Sequence, residues 1–459
     1  MSEPTQAAAG RSAASESATP ELPRAATDRS DRYCIIGAGP SGLATARAFA
    51  RAEIPFDILE RHRDVGGIWD LSNECTPMYE SAHFISSRTQ SAFDDFPMPE
   101  SYPDYPGWRQ ILEYIRSFAD HYGLRERVEF GANVRSVTPA GEDGWDVTLV
   151  SGQTRRYRGV VCALGHNWHP TLPAYPGSFD GEAYHSFYYR SPSQFAGKRV
   201  LIVGGGNSGC DIACDAAANA SRAFISLRRG YHFLPKHIFG QPTDAFFRSG
   251  PHLPAWLAQP LLTGLLRLLV GDLRRYGLPK PDHKVLESHP IMNSQLLHYL
   301  AHGDITAKPD VLELSGDRVR FADGSEEAID LIVYATGYRA TIPCLDQSLF
   351  ASDAGAEPLF LNVFHERANL FVVGLFETDG AAYPIVSKQA ALIASLIRAE
   401  RDATGADIWF HRLRAGPPHQ LRGGIRYLKS PRHAIYVQFD EYLHYLGKVL
   451  KKLDGGKRQ

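Results

Sequence analysis

The sequence predicts an α/β protein with two dinucleotide-binding (Rossmann-like) units. Three observations lead there. The order strand, glycine-rich turn, helix, strand runs through residues 33–60 and recurs at 199–229. Both turns have GxGxxG spacing: Gly37, Gly39 and Gly42 in the first, Gly204, Gly206 and Gly209 in the second. The strand segments are short and almost wholly apolar, as parallel strands covered on both faces are.

Each residue of the first unit has a physical task. Gly37 permits the tight turn out of strand 33–36, Gly39 lets the backbone approach a pyrophosphate, and Gly42 lets the helix pack close to the sheet. Pro40 and Ser41 open that helix, whose free N–H groups and positive dipole end face the phosphates. Strand 56–59 ends in Glu60, where a carboxylate accepts hydrogen bonds from a ribose. Arg61 follows, then Gly66-Gly67-Ile68-Trp69. The paired glycines permit another close backbone approach and Trp69 supplies a flat apolar face; a surface turn with one core Trp is the plainer alternative. In the second unit Asn207 and Ser208 open the helix, and strand 224–227 ends in Arg228-Arg229. An arginine cannot accept from a ribose hydroxyl, but it can pair with a 2′-phosphate. The alternative is a solvated arginine pair.

Composition bounds the rest. A chain of 459 residues holds two or three domains. The net charge of −2 offers nothing to a nucleic acid. The 44% hydrophobic content suits a soluble globular protein. Six scattered cysteines form no metal spacing and no disulfide framework, so no metal is expected and a reducing, cytoplasmic compartment is. Cys210 and Cys214 stand four apart on a helix and read as packing residues rather than a redox dithiol. Residues 1–29 read as a disordered tail. No run reaches the roughly 18–20 apolar residues that span a bilayer. The nearest, 256–270, is broken by Pro260 and Arg267. It is expected to cover a substrate entrance or touch a membrane surface, with an ordinary buried helix as the alternative.

Along the chain, 108–122 reads as an amphipathic helix and 134–138, 145–150 and 154–158 as a small meander. Segment 160–164 is a buried strand. Pro170, Pro173 and Pro176 mark a crossing between domains. Residues 231–300 exceed what a βαβ connection needs. Segments 311–314 and 318–321 suggest a hairpin, 331–334 and 370–373 are buried strands, and 387–398 is helical. The expected division is 30–168 with 325–459 as one domain, interrupted by 169–324, which carries the 231–300 insertion.

An acid-terminated unit followed by an arginine-terminated one is similar to the flavoproteins that bind FAD first and NADPH second. Within that class the chain resembles the flavin-containing monooxygenases. Phe179-x-Gly181-x-x-x-His185 followed by Tyr189-Arg190 matches that family's FxGxxxH motif, Gly66-Gly67-Ile68-Trp69 its GGxW, and Ala335-Thr336-Gly337-Tyr338 its ATGY. Baeyer–Villiger monooxygenases usually carry Trp where Tyr189 stands. The resemblance implies that NADPH reduces FAD, that O2 then forms a C4a-hydroperoxide, and that a soft N or S of a small apolar substrate takes one oxygen. Ketone oxygenation, an NADPH oxidase or reductase, and a nucleotide-sensing protein remain as alternatives. A homodimer is left open. The resemblance implies a flavin site of Gly37, Gly39, Pro40, Ser41, Gly42, Glu60, Arg61, Gly67, Ile68, Trp69, Val134 and Gln389. The NADPH site would be Gly204, Gly206, Asn207, Ser208, Gly209, Arg228 and Arg229, with Thr336, Gly337 and Tyr338 between the two. The chain departs from the family at two places. Lys388 stands near the final helix where many relatives carry an acid. Where relatives carry a flavin-facing Asn, gap-free counting back from Asp95-Phe96-Pro97 lands on Ile85. Ser86 and Arg88 are therefore the candidate catalytic residues there. His185 is the third candidate, with shaping the linker and the nucleotide site as its expected role.

Overall fold

The computed structural model describes residues 26–250, 253–350, 359–417, 419 and 421–455. The strand Thr27–Ile36 lies at the heart of the first sheet, with Phe56–Glu60 parallel on one side and Thr154–Cys162 parallel on the other. Val128–Phe130 and Leu370–Val372 extend that sheet outward, again in parallel. Tyr33 and Ile35 pack under the helices Pro40–Arg51 and Ala382–Arg401, while Cys34 and Ile36 face a second cluster around Trp145 and Val160. Both faces are covered, which is why the strand carries no polar alternation from Tyr33 onward.

The second sheet runs Ile305–Lys308, Arg222–Ser226, Arg199–Val203, Leu331–Tyr334, Glu182–His185, all parallel. This moves one expected boundary. Leu331–Tyr334 pairs with Arg199–Val203, so a division at 324/325 would cut this sheet; the return to the first sheet comes after Tyr334. The hairpin of Val311–Gly316 and Arg318–Phe321 forms as expected.

Three further expectations change. The tail does not reach residue 29: Thr27–Arg29 already pair with Arg155–Tyr157, and the rest of that stretch, 1–25, lies outside the described residues. The third meander strand and the buried strand are one element, Thr154–Cys162, antiparallel to Gly144–Leu149 at its start and parallel to Tyr33–Ile36 at its end. The helix expected at 387–398 begins at Ala382, earlier than expected, because Pro384 sits in its first turn, where a missing N–H costs nothing. Within the insertion, Thr243–Ser249, Ala255–Leu269 and Gln295–His302 are helical. Among the described residues no helix is long and apolar enough to cross a membrane.

Candidate active site

The two glycine turns are built alike. Gly37 has φ +106° and a Cβ there would lie 2.6 Å from the Ala163 carbonyl oxygen; Gly204 has φ +116° and its Cβ would lie 2.4 Å from that of Ala335. Each alanine follows the strand that crosses beside the fingerprint strand, so Ala335-Thr336-Gly337-Tyr338 is the spatial counterpart of Ala163-Leu164-Gly165-His166. Gly42 and Gly209 bring their helices against the turns: a Cβ would meet the carbonyl oxygens of Gly37 at 1.8 Å and Gly204 at 2.1 Å.

The turns differ in what surrounds the middle glycine. Gly39 lies against Gly67, where a Cβ on Gly67 would come 3.0 Å from the Gly39 Cα. Two bare backbone stretches thus form a cradle narrow enough that side chains would fill it. Glu60 is buried and aimed back at the same turn; it accepts from the Ala38 N–H at 2.6 Å and the His62 N–H at 2.8 Å. Gly206 has no protein atom within 4 Å of its Cβ position and opens onto the cleft.

Both turns line one continuous cleft of about 1030 Å³ between the sheets. Gly37, Gly39, Pro40, Ser41, Glu60, Arg61, Gly67, Ile68, Trp69 and Val134 line its first half. Gly204, Gly206, Asn207, Ser208, Gly209, Arg228 and Arg229 line the second, and Thr336, Gly337 and Tyr338 stand between. Asn207 is additionally tied to the insertion: it donates to the Pro290 carbonyl at 3.2 Å and accepts from the Met292 N–H at 2.9 Å. These donors, the carboxylate and the arginine pair fit an FAD in the first half and a phosphorylated nicotinamide dinucleotide in the second.

Four expected site residues lie outside that wall: Gly42, which packs its helix against the Gly37 carbonyl, and three others. Gln389 is fully buried beneath the cleft, accepting from the Gly374 N–H at 3.0 Å and donating to the Tyr442 hydroxyl at 2.8 Å. It braces the turn after Leu370–Val372 and does not line the cleft. Arg88 does not line it either: the chain turns away after Ser87, and the Arg88 N–H donates to the Asp104 carbonyl at 2.8 Å. His185 is buried with both ring nitrogens engaged. Nε2 donates to the Gly337 carbonyl at 3.1 Å and Nδ1 accepts from the Phe187 N–H at 3.0 Å. Burial pushes its pKa down to about 4, so the ring is neutral and holds the linker. Ser86 does line the cleft, its hydroxyl paired with that of Ser91 at 2.7 Å, beside Ile85.

The cleft wall also contains residues that local spacing did not signal. Trp168 lies beside Arg61, with the guanidinium 5.6 Å from the ring centroid. Tyr175 stacks on Tyr334 at 6.5 Å on the Arg228 side. On the helix Asn207–Asn219, Asp211 lines the cleft and accepts from Asn293 at 2.7 Å and from the Tyr79 hydroxyl at 3.3 Å; Asp215, one turn on and outside the wall, accepts from the Tyr189 hydroxyl at 2.8 Å. Burial raises both carboxyls above the usual range. Each becomes visible only when the units are docked. Cys210 and Cys214, on the same helix, are buried thiols whose pKa burial raises, consistent with packing.

The sequence profile of the family Flavin-binding monooxygenase-like matches residues 30–406. The chain belongs to this family. Human flavin-containing monooxygenase 3 is 33% identical over 394 residues, covering 80% of this chain and 74% of that protein. Rat dimethylaniline monooxygenase [N-oxide-forming] 2 is 33% identical over 384 residues, covering 78% and 72%. A crystal structure of cyclohexanone monooxygenase superposes with a TM-score of 0.71 at 17% identity, covering 94% of this chain and 99% of that one, and shows the shared fold. The protein is an NADPH-dependent flavin monooxygenase, and FAD and NADPH are its cofactors.

Proposed function

We propose that the chain oxygenates a soft nitrogen or sulfur on a small, largely apolar molecule. One observation carries the reading: both glycine fingerprints open onto a single cleft whose remaining wall includes Phe84, Ile85, Ile291, Phe376 and Ile435. The net reaction takes up one proton: substrate, NADPH, H+ and O2 become the oxide, NADP+ and water. FAD and NADPH supply the redox chemistry when bound. In this reading the protein binds, orients and excludes water. The Gly37–Gly42 turn and the helix behind it hold one pyrophosphate, Glu60 a ribose, and Gly67–Trp69 the approach to the flavin. Gly204–Gly209 hold the second pyrophosphate and Arg228 and Arg229 the 2′-phosphate. Residues 30–168 with those after Tyr334 form the FAD unit, and 169–334 the NADPH unit.

Kinship with an N-oxide-forming relative supports nitrogen as one target. The experiment is product analysis after aerobic turnover with a tertiary amine, a thioether and a cyclic ketone. N-oxide or sulfoxide is expected; lactone in excess of both would move the reading to ketone oxygenation, and hydrogen peroxide alone to an oxidase. The helix Ala255–Leu269 presents Trp256, 74% exposed, and Leu268, 83% exposed. These exposed apolar side chains suit contact with a membrane surface. Co-sedimentation with phospholipid vesicles that is lost in Trp256→Ser with Leu268→Ser is the expected result.

A further inference from the structure

Residues 83–87 cross the cleft wall with their side chains alternating between two neighbours. Phe84 packs edge-on against Trp69 at 5.1 Å and Tyr383 at 5.5 Å, on the flavin side. Positions 83, 85 and 87 all meet the insertion. His83 donates from Nδ1 to the carbonyl of Ser81, two residues back, at 3.1 Å, and its Nε2 accepts from the Lys236 ammonium. That ammonium lies 5.1 Å from the Tyr105 ring centroid. Ile85 packs against the cluster of Leu234, Leu262, Leu266 and Met292. Ser87 is buried, and one oxygen of Asp244, Oδ2, accepts both from its N–H at 2.7 Å and from its hydroxyl at 3.0 Å.

Ile85 and Ser86, which line the cleft together with His83 and Phe84, are therefore fixed on either side by side chains of the insertion. We infer that Asp244, with Lys236, is a positioning residue: it holds Ile85 and Ser86 at the wall and so sets how completely oxygen is transferred to substrate rather than lost. The inference rests on the monooxygenase reading above. Loss of coupling has a defined balance, in which NADPH, H+ and O2 become NADP+ and H2O2. A wall segment released from Asp244 leaves its buried Ser87 N–H without an acceptor, so the segment shifts and admits water to the reacting centre.

The test compares Asp244→Ala with Asp244→Asn in the FAD-loaded enzyme, using methyl phenyl sulfide. Hydrogen peroxide per NADPH should rise about three- to tenfold in Asp244→Ala, the size expected for one or two lost hydrogen bonds. Anaerobic reduction of the flavin by NADPH should stay within about twofold, because neither nucleotide's site is touched. Asp244→Asn keeps an oxygen that accepts both bonds and should restore coupling. Equal coupling in Asp244→Ala and wild type overturns the inference, as does an Asp244→Asn variant that leaks like Asp244→Ala. If Asp244→Ala fails to fold, Ser87→Ala removes one bond and keeps the other; unchanged coupling there also overturns it. Wild-type enzyme that forms no sulfoxide or N-oxide overturns the monooxygenase reading itself, a result distinct from any difference between variants.

Discussion

His185 donates its Nε2 proton to the carbonyl of Gly337 across 152 residues of sequence. The bond joins the FxGxxxH motif to the ATGY motif, so two signatures that are separate in the chain are one piece of linker in the fold. The Thr336 hydroxyl adds a second tie, donating to the Thr171 carbonyl at 2.6 Å. Tyr338 packs edge-on against the His185 ring at 5.1 Å.

That geometry sets a pH dependence. His185 has a folded pKa of about 4 against an ordinary 6.5, and burial of the ring causes the drop. Between these values the unfolded chain binds a proton that the folded one does not, so stability rises with pH. The contribution is intact above pH 6.5 and is lost progressively on acidification to about 4, a difference on the order of 3 kcal/mol. His185→Gln preserves a donor and an acceptor but does not titrate. Its melting temperature should therefore fall less steeply than that of wild type over this range. No ionisation of His185 should appear in kcat between pH 6 and 8; a rate profile that loses a limb in His185→Gln would restore it as an acid or base.

Gly206 is a clean probe of the second nucleotide. A Cβ there meets no protein atom within 4 Å, so Gly206→Val should fold and keep stoichiometric FAD. Its KM for NADPH should rise by about tenfold or more, the cost of a side chain placed where the pyrophosphate lies. Gly39→Val is the contrasting case, because its Cβ already stands 3.3 Å from the Gly67 Cα. It should purify without FAD. Flavin absorbance and steady-state kinetics read both outcomes, and a Gly39→Val protein with full FAD would remove the first unit from the flavin site.

Arg228 and Arg229 should make NADPH the preferred donor. A phosphate–arginine pair contributes roughly 1.5–3 kcal/mol, or about 10–150-fold in kcat/KM. Arg228→Ala should erase most of that ratio while leaving NADH kinetics nearly unchanged. Equal kcat/KM for the two donors in wild type would contradict the assignment.

Leu266 tests whether the insertion helix is core or cover. It is buried against Leu234 and Met292, in the cluster that receives Ile85. Leu266→Ala should destabilise the protein by about 2–5 kcal/mol in denaturant unfolding. It should also shift the substrate KM, because Ile85 loses its packing partner. Destabilisation with an unchanged KM would place the helix purely in the core.

Ser86 remains the hydroxyl of this segment at the cleft. Ser86→Ala should increase hydrogen peroxide yield about 2–10-fold, and Ile85→Asn, which adds an amide, should reduce it. If neither variant alters coupling, the segment does not touch the reacting centre.

The fingerprints were legible because their constraints are local. Gly37, Gly42, Gly204 and Gly209 are dictated by backbone atoms within their own turn or on the neighbouring strand, and Glu60 closes back on that turn through the Ala38 N–H. The apolar strands were legible for the same reason, since a strand covered on both faces must be apolar throughout. Sequence alone therefore determined the fold class, the two nucleotide units, their order and the family. Spacing could not decide which side chains reach the cleft. Arg88 and Gln389 stand near flavin-site positions in sequence, yet one follows a turn held by Asp244 and the other is buried under Gly374. Lys236 and Asp244, which grip the cleft wall, come from a stretch with no motif at all. Their partners His83 and Ser87 lie about 150 residues away in the chain. Such contacts depend on how two units dock, and docking is set by packing across the interface rather than by any local period in the sequence.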